Sequence, residues 1–547
     1  MQSDAVSVTA MPADGMRGDL EFGTIARLPE ILAERHGDKA AIEDGQVRIT
    51  YRRLADLSRR AQRALLATGV RPGDCVAIWA PNTWRWIIAA LAIHRCGATL
   101  VPINTRYKGD EAAYILRKTN ARVLFTTRGF LETDYPALLQ RADNPPECLT
   151  VLLQGEPEHE EYSWETFATS YGEVDPGDAA QIATNVGPDD LCDILFTSGT
   201  TGHPKGAMCT HGATLRAYRD WAAVVGLAAS DRYLVVAPFF HAFGYKAGWL
   251  AALMCGATVI PQPVFDASAV LARIGPDRVS MLPGPPALYQ TLLGHPQLAD
   301  HDLSSLRLAV TGAAVIPTEL IIRMRDELGF QTVVTGYGLT EACGIATMCR
   351  ADDAPELIAA TSGRAIPGVE VRLVDGNGAT CPAGEPGEVV VRGYNVMRGY
   401  LDDKSGTAAA IDSDGWLHTG DVGVMDEAGN VRITDRIKDM FIMGGFNCYP
   451  AEIERVLLQR KDIVQAAVIG VPDDRMGEVG KAFIVARADA AIDADEIIAW
   501  CRERLANFKV PRHVAVVDAL PMNATGKVQK FKLRGGQPPG QPGTEAP

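Results

Sequence analysis

Between residues 74 and 103 the chain runs DCVAIWA, NTWRWIIAALAIHRCG and ATLVPI: an apolar strand, a helix and a second apolar strand. The rhythm returns in RYLVVAPFF, a helix near 246–255, ATVIPQ, another helix, RVSMLPG, a helix and LRLAVTGA. Strands that alternate with helices pair in parallel, because each helix carries the chain back across the sheet; the pattern predicts parallel α/β units. In TYRRLADLSRRAQRALLATG, Thr50 caps a helix whose Leu54, Leu57, Ala61 and Leu65 fall at helical spacing. The most apolar early stretch, 86–103, is interrupted by His94 and Arg95 and reads as buried helix plus strand, not as a membrane span.

From about 362 to 435 the period changes. VEVRLVDGNGA, GEVVVRG and GNVRITD alternate every second residue between Gly and Asn turns, as in a small antiparallel sheet or barrel. After Asp435 comes a compact unit: helix AEIERVLLQR with Pro450 in its first turn, strands VQAAVIGV and KAFIVARA, helix ADEIIAWCRERLAN, and strand RHVAVVD. A chain of 547 residues exceeds a single core. The expected organisation is a polar tail over 1–18, an N-terminal domain over 19–437 with its barrel part at about 362–435, a C-terminal domain over 438–534, and a disordered tail over 535–547.

At 197–206 stands TSGTTGHPKG, after the apolar run of DDLCDILF. A loop with almost no bulky side chains lets the backbone approach a ligand, and its hydroxyls and amides suit one anion, a phosphate. It is not the G-x-x-x-x-G-K-S/T loop of P-loop NTPases: counted from Gly199, Pro204 stands in place of the second Gly and Gly206 in place of the Ser or Thr. The formal charge of −14 argues against a nucleic-acid surface, so local donors must meet an anionic ligand. The eleven cysteines are odd in number and never spaced C-x-x-C, which favours reduced thiols and a cytoplasmic location over disulfides or a zinc site. The opening MQSDAVSVTAMPADGMRGD carries acids and no apolar core, so it does not read as a signal peptide.

After the glycine loop come PFFHAFG (238–244), TGAA (311–314), YGLTE (337–341), TGD (419–421), DRIKDM (435–440), GGFNCYPAEIE (444–454) and NATGK (523–527). In this order the motifs resemble the adenylate-forming superfamily: acyl-CoA synthetases, luciferases and the adenylation domains of peptide synthetases. The resemblance runs from roughly 30 to 534 and is nearest to the ligases of steroid catabolism that activate a bicyclic propanoate. It implies an α/β multidomain fold: a large N-terminal domain of two parallel-sheet α/β subdomains plus a small β-barrel, and a small mobile α+β C-terminal domain. It also implies a two-step reaction using ATP, Mg²⁺ and coenzyme A. A carboxylate attacks the α-phosphate to give acyl-AMP and pyrophosphate, and the CoA thiol then displaces AMP.

On this resemblance Thr197, Ser198, Gly199, Thr200, Thr201, Gly202 and Lys205 hold the departing pyrophosphate. Gly312, Ala313 and Ala314 leave a slot for the adenine face, and Tyr337, followed by Gly338, stacks on it. Thr340 bonds the α-phosphate, Glu341 ligates Mg²⁺, and Asp421 and Arg436 take the ribose. Lys438 is the hinge, and Lys527 enters the site for adenylation, where its charge bridges carboxylate and α-phosphate. The proline-basic pair usual before that lysine is here Pro521-Met522. His241 stands at the junction of carboxylate and α-phosphate and orders an acyl pocket of Phe240, Phe243, Gly284, Pro285, Gly336 and Leu339. Gly444, Gly445 and Phe446 line the pantetheine passage.

The segment PFFHAFGYKAG has no aspartate to pair an amine, which favours an organic acid over an amino acid. No carrier domain is fused, which favours free CoA. FGYKAG, PGPPALY and YGLTEACG combine Gly and Pro stiffness with moderate bulk, a shape for a compact apolar body. The expected substrate is a bulky cyclic, steroid-derived propanoate or a medium-chain acid. Alternatives are a ligase for long-chain or aromatic acids, a carrier-loading adenylase, and a non-catalytic nucleotide sensor, which would have lost Lys527 or Glu341. Neither nucleic acid nor an integral membrane segment is expected, and a homodimer is compatible with the sequence.

Overall fold

The computed structural model describes residues 15–158, 161–172, 174–197, 204–312, 316–436, 441–448, 450–487, 490, 492–521, 528 and 530–534. Ser198 to Gly202, Ala313, Ala314, Lys438 and Lys527 lie outside the described residues, and of Arg436 only the backbone is described.

The strand–helix–strand unit is present. Cys75–Ile78 and Thr99–Pro102 pair in parallel, with helix Trp84–Arg95 between them. Thr50 caps helix Tyr51–Ala67 by accepting the Arg53 N–H, as its position predicts. Val123–Phe130, Leu149–Gln154 and Leu191–Thr197 extend the sheet in parallel. Lys205–Thr210 then turns back along Leu191–Thr197, setting Lys205 opposite Thr197. Thr197 and Lys205 are therefore facing ends of an antiparallel pair at the edge of the sheet. Arg95, which breaks the apolar run, is buried and paired with Glu30, Gln62 Oε1 (3.0 Å) and the Ala26 carbonyl. That is how a buried guanidinium is tolerated.

A second sheet joins Arg232–Val235, Thr258–Pro261 and Ala40–Asp44 in parallel, and Val47–Thr50 returns along its edge. Met281 bridges Tyr233 to Leu308 and so links it to the parallel pair Leu308–Thr311 and Thr332–Tyr337. The helix expected near 246–255 arrives in two pieces. Tyr245–Leu250 is a π-helical turn, Ala251–Met254 is α-helical, and the chain kinks at Gly248. A Cβ on Gly248 would stand 2.8 Å from Val235 Cγ1, so only glycine lets the turn lie this close to the neighbouring strand.

Residues 369–436 form a four-stranded antiparallel sheet of Val369–Val374, Pro386–Gly393, Leu417–Met425 and Val431–Arg436. Beyond it, Ile463–Asp473, Gly477–Ala486 and His513–Val516 make the C-terminal sheet, with helices Pro450–Leu457 and Ala494–Arg504 against it. The core does not stop at the boundary between the units. Phe441, Ile453, Phe508 and Val510 belong to one packed cluster with Trp79, Ile103 and Tyr107. Among the described residues, no helix is long and apolar enough to cross a membrane.

Candidate active site

A cleft of about 2230 Å³ opens where the two parallel sheets, the antiparallel sheet and the C-terminal unit meet. Its walls carry Thr197 and Lys205 from the antiparallel edge pair, Phe240, His241 and Phe243, Gly284 and Pro285, Gly312, and Gly336 to Glu341. Asp421 and Gly444 to Phe446 complete them. Motifs separated by hundreds of residues thus converge on one space.

Strand Leu191–Thr197 of the first sheet and strand Thr332–Tyr337 of the second both end at the cleft, which brings Thr197 beside Glu341. The Thr197 hydroxyl donates to Glu341 Oε1 at 3.0 Å, and the Tyr400 hydroxyl donates to the same oxygen at 2.9 Å. Mg²⁺ is held by one or two carboxylates together with substrate phosphates and water, and the cleft-facing Glu341 carboxylate fits that role. Lys205 Nζ lies 3.2 Å from Asp403 Oδ2 and 4.8 Å from the centre of the Tyr400 ring. Tyr400 and Asp403 were missed by the sequence reading. Their segment, RGYLDD, has no diagnostic spacing, and it reaches the site through a bridge between Tyr400 and Ala207 that only the fold creates.

On the nucleotide side, the Tyr337 hydroxyl donates to Asp421 Oδ2 at 2.6 Å. Asp421 is almost wholly buried and stands opposite Arg436 in the sheet register. The pair expected to hold adenine and ribose is thereby tied together across 84 positions of sequence.

His241 caps a short helical turn, its Nδ1 accepting the Phe243 N–H at 3.2 Å. It opens to the cleft and is otherwise surrounded by protein, and this desolvation lowers its pKa. A neutral, backbone-bonded imidazole suits a wall better than a proton carrier. Tyr218 and Trp221, on helix His211–Val225, form part of the apolar wall, which sequence periodicity alone assigns to the core.

Behind this wall Lys246 and Asp193 are both fully buried, with Nζ 3.0 Å from Oδ2. Lys246 also reaches Cys343 Sγ at 3.5 Å, two residues beyond Glu341. Burial opposes the ammonium charge, but Asp193 and the thiols around it hold its pKa well above the usual value. The π-helical turn and the YGLTE loop are thus pinned to the strand that carries Thr197. All eleven cysteines are free thiols.

Comparison with known proteins places these features in a family. Residues 30–401 match the AMP-binding enzyme model, and 452–527 match the AMP-binding enzyme C-terminal domain. The chain belongs to this family and is an AMP-forming acyl-CoA ligase, using ATP, Mg²⁺ and CoA. It is 51% identical to the 7a-methyl-1,5-dioxo-octahydro-1H-inden-4-yl propanoyl:CoA ligase of Mycobacterium tuberculosis, over 94% of this chain and 99% of the other. To the ligase of the same name in Rhodococcus jostii it is 48% identical, over 92% and 96%.

Among solved structures, it superposes on a double mutant of o-succinylbenzoate CoA synthetase from Bacillus subtilis bound to a product analogue. There the TM-score is 0.77, at 27% identity over 93% of this chain and 98% of the other. The same synthetase in complex with its acyl-adenylate intermediate gives a TM-score of 0.63, at 27% identity over 92% and 97%.

Proposed function

We propose that this ligase activates a bicyclic propanoate, a two-ring body bearing a three-carbon acid, and passes it to free CoA. The reading is carried by the near-complete alignment with two ligases named for that acyl group, at 51% and 48% identity. The stiff wall of Phe240, Phe243, Ala247, Gly284, Pro285 and Trp221 supports it, since fused rings fill such a space without freezing many rotors.

In this reading the antiparallel edge pair and the glycine loop, with Lys205, take the pyrophosphate, and Thr340 takes the α-phosphate. Tyr337 and Asp421 hold adenine and ribose, Arg436 assists, and Gly312, Ala313 and Ala314 face the base. Mg²⁺, held by Glu341, supplies charge neutralisation at the phosphates. Lys527 swings in from the C-terminal domain for adenylation about a hinge at Lys438, and Gly444, Gly445 and Phe446 admit the thiol afterwards. The enzyme is placed in the cytoplasm, and a homodimer is the assembly to check by sedimentation.

The test is incubation with ATP, Mg²⁺, CoA and the bicyclic acid, reading AMP, pyrophosphate and thioester. Equal yields of the three are expected. Thioester formed only on a phosphopantetheinyl carrier protein, or no AMP formed with this acid, would overturn the reading.

A further inference from the structure

Lys509, in the C-terminal unit, is 1% exposed and faces two carboxylates. Its Nζ lies 2.6 Å from Glu452 Oε1, in its own unit, and 2.9 Å from Glu111 Oε1, 398 positions away in the N-terminal domain. The ammonium also sits 4.2 Å from the Tyr107 ring centre, so it is enclosed from both sides. Glu111 is aimed before this contact forms. Its other oxygen, Oε2, accepts the Lys108 N–H at 2.9 Å, at the start of helix Gly109–Thr119.

Next to this group, Phe446 stacks on Phe508 at 4.6 Å, and Arg106 lies over the Phe446 ring at 4.5 Å. Phe446 ends the Gly444–Phe446 turn that lines the cleft, and Pro285 Cβ is the nearest atom to a Cβ built on Gly445, at 3.8 Å. Holding Lys509 against helix Gly109–Thr119 therefore holds this turn against the acyl wall. The Lys509–Glu452 pair lies within one unit and moves with it; Glu111 gives that pair its ion pair to the other domain, beside the ring of Tyr107.

We propose that Glu111 is a positioning residue for the thioester half-reaction: through Lys509 it latches the C-terminal domain in the orientation that presents Gly444–Phe446 to the cleft. Adenylation, which needs the other orientation, does not draw on this contact. The inference rests on the two-step reading above and adds a residue to it. Because Glu111 also accepts the Lys108 N–H in its own helix, a latch is told from a plain structural role by loss of the thioester half alone.

The test uses the full-length enzyme and measures the halves separately: pyrophosphate release from acid and ATP, and thioester from supplied acyl-adenylate and CoA. Glu111→Lys sets like charge against Lys509 and should slow the thioester half about tenfold or more, with adenylation unchanged. Glu111→Gln keeps a carbonyl oxygen for the ammonium and should fall between wild type and Glu111→Lys. Hydrogen exchange should show amides 106–112 losing protection in the Lys variant alone. Wild-type thioester rates in folded Glu111→Lys, or equal loss of both halves in the Gln and Lys variants, would overturn the latch. A wild-type enzyme that makes no thioester from acyl-adenylate would instead count against the two-step reading.

Discussion

Glu341 receives two hydroxyl donors on one oxygen, and the consequence can be measured. Glu341→Gln replaces a charged oxygen ligand by a neutral one and should raise the Mg²⁺ requirement sharply. Tyr400→Phe removes one hydrogen bond to a charged carboxylate, worth about 1.5–3 kcal/mol, and should lower activity by roughly ten- to a hundredfold with little change in metal dependence. Titrating both variants with Mg²⁺ distinguishes them; identical curves would make the carboxylate a structural acceptor. Lys527→Ala should abolish acyl-adenylate formation and still convert supplied acyl-adenylate to thioester. Equal loss of both halves would contradict its assignment to the first. That Glu341, Thr197 and Asp421 share one cleft was legible from the order of the family's motifs, although Asp421 by its local sequence alone reads as a turn aspartate. Tyr400, Asp403 and Lys246 were not legible, because their partners are brought to them by sheet pairing and burial, and no local spacing records that.

At the scale of elements, the alternation of strand and helix predicted both parallel sheets, since a crossover helix leaves the chain little other choice. The segment 245–254 departs from that simplicity. Regular α-helical turns there would have to move away from Val235, and the π-helical turn with its kink at Gly248 keeps Tyr245 stacked on Trp249 at 5.1 Å and Lys246 on Asp193. Lys246→Met leaves a buried carboxylate unpaired and should cost about 3–5 kcal/mol, seen as a lower unfolding midpoint. Adding Asp193→Asn should recover part of that loss; no recovery would mean that the lysine acts through packing alone. At the Gly444–Phe446 turn, Gly445 has φ +83° and faces Pro285. Gly445→Leu combines a strained backbone with a filled passage. Pyrophosphate release should survive for about one turnover while thioester yield collapses, and normal thioester turnover in the folded variant would remove Gly445 from the passage.

For the whole molecule, docking of the C-terminal unit encloses an ion pair shared between the two domains. Glu111 and Glu452 hold the Lys509 ammonium well above its usual pKa, and burial pushes the Glu111 carboxyl up against the pull of Lys509. Tyr107, Lys509, Glu452 and the Lys108 N–H are the groups that face it. The central claim concerns the acid. A stiff wall should exclude a long straight chain, where each immobilised group costs roughly 0.5–1.5 kcal/mol, while a fused-ring propanoate loses little freedom. The most direct measurement is competition: the bicyclic propanoate, octanoate, palmitate and acetate at equal concentration with ATP, Mg²⁺ and CoA, with acyl-CoA products read by mass. The bicyclic propanoyl-CoA should dominate, with some octanoyl-CoA and almost no palmitoyl- or acetyl-CoA. Palmitoyl-CoA as the main product would contradict the account.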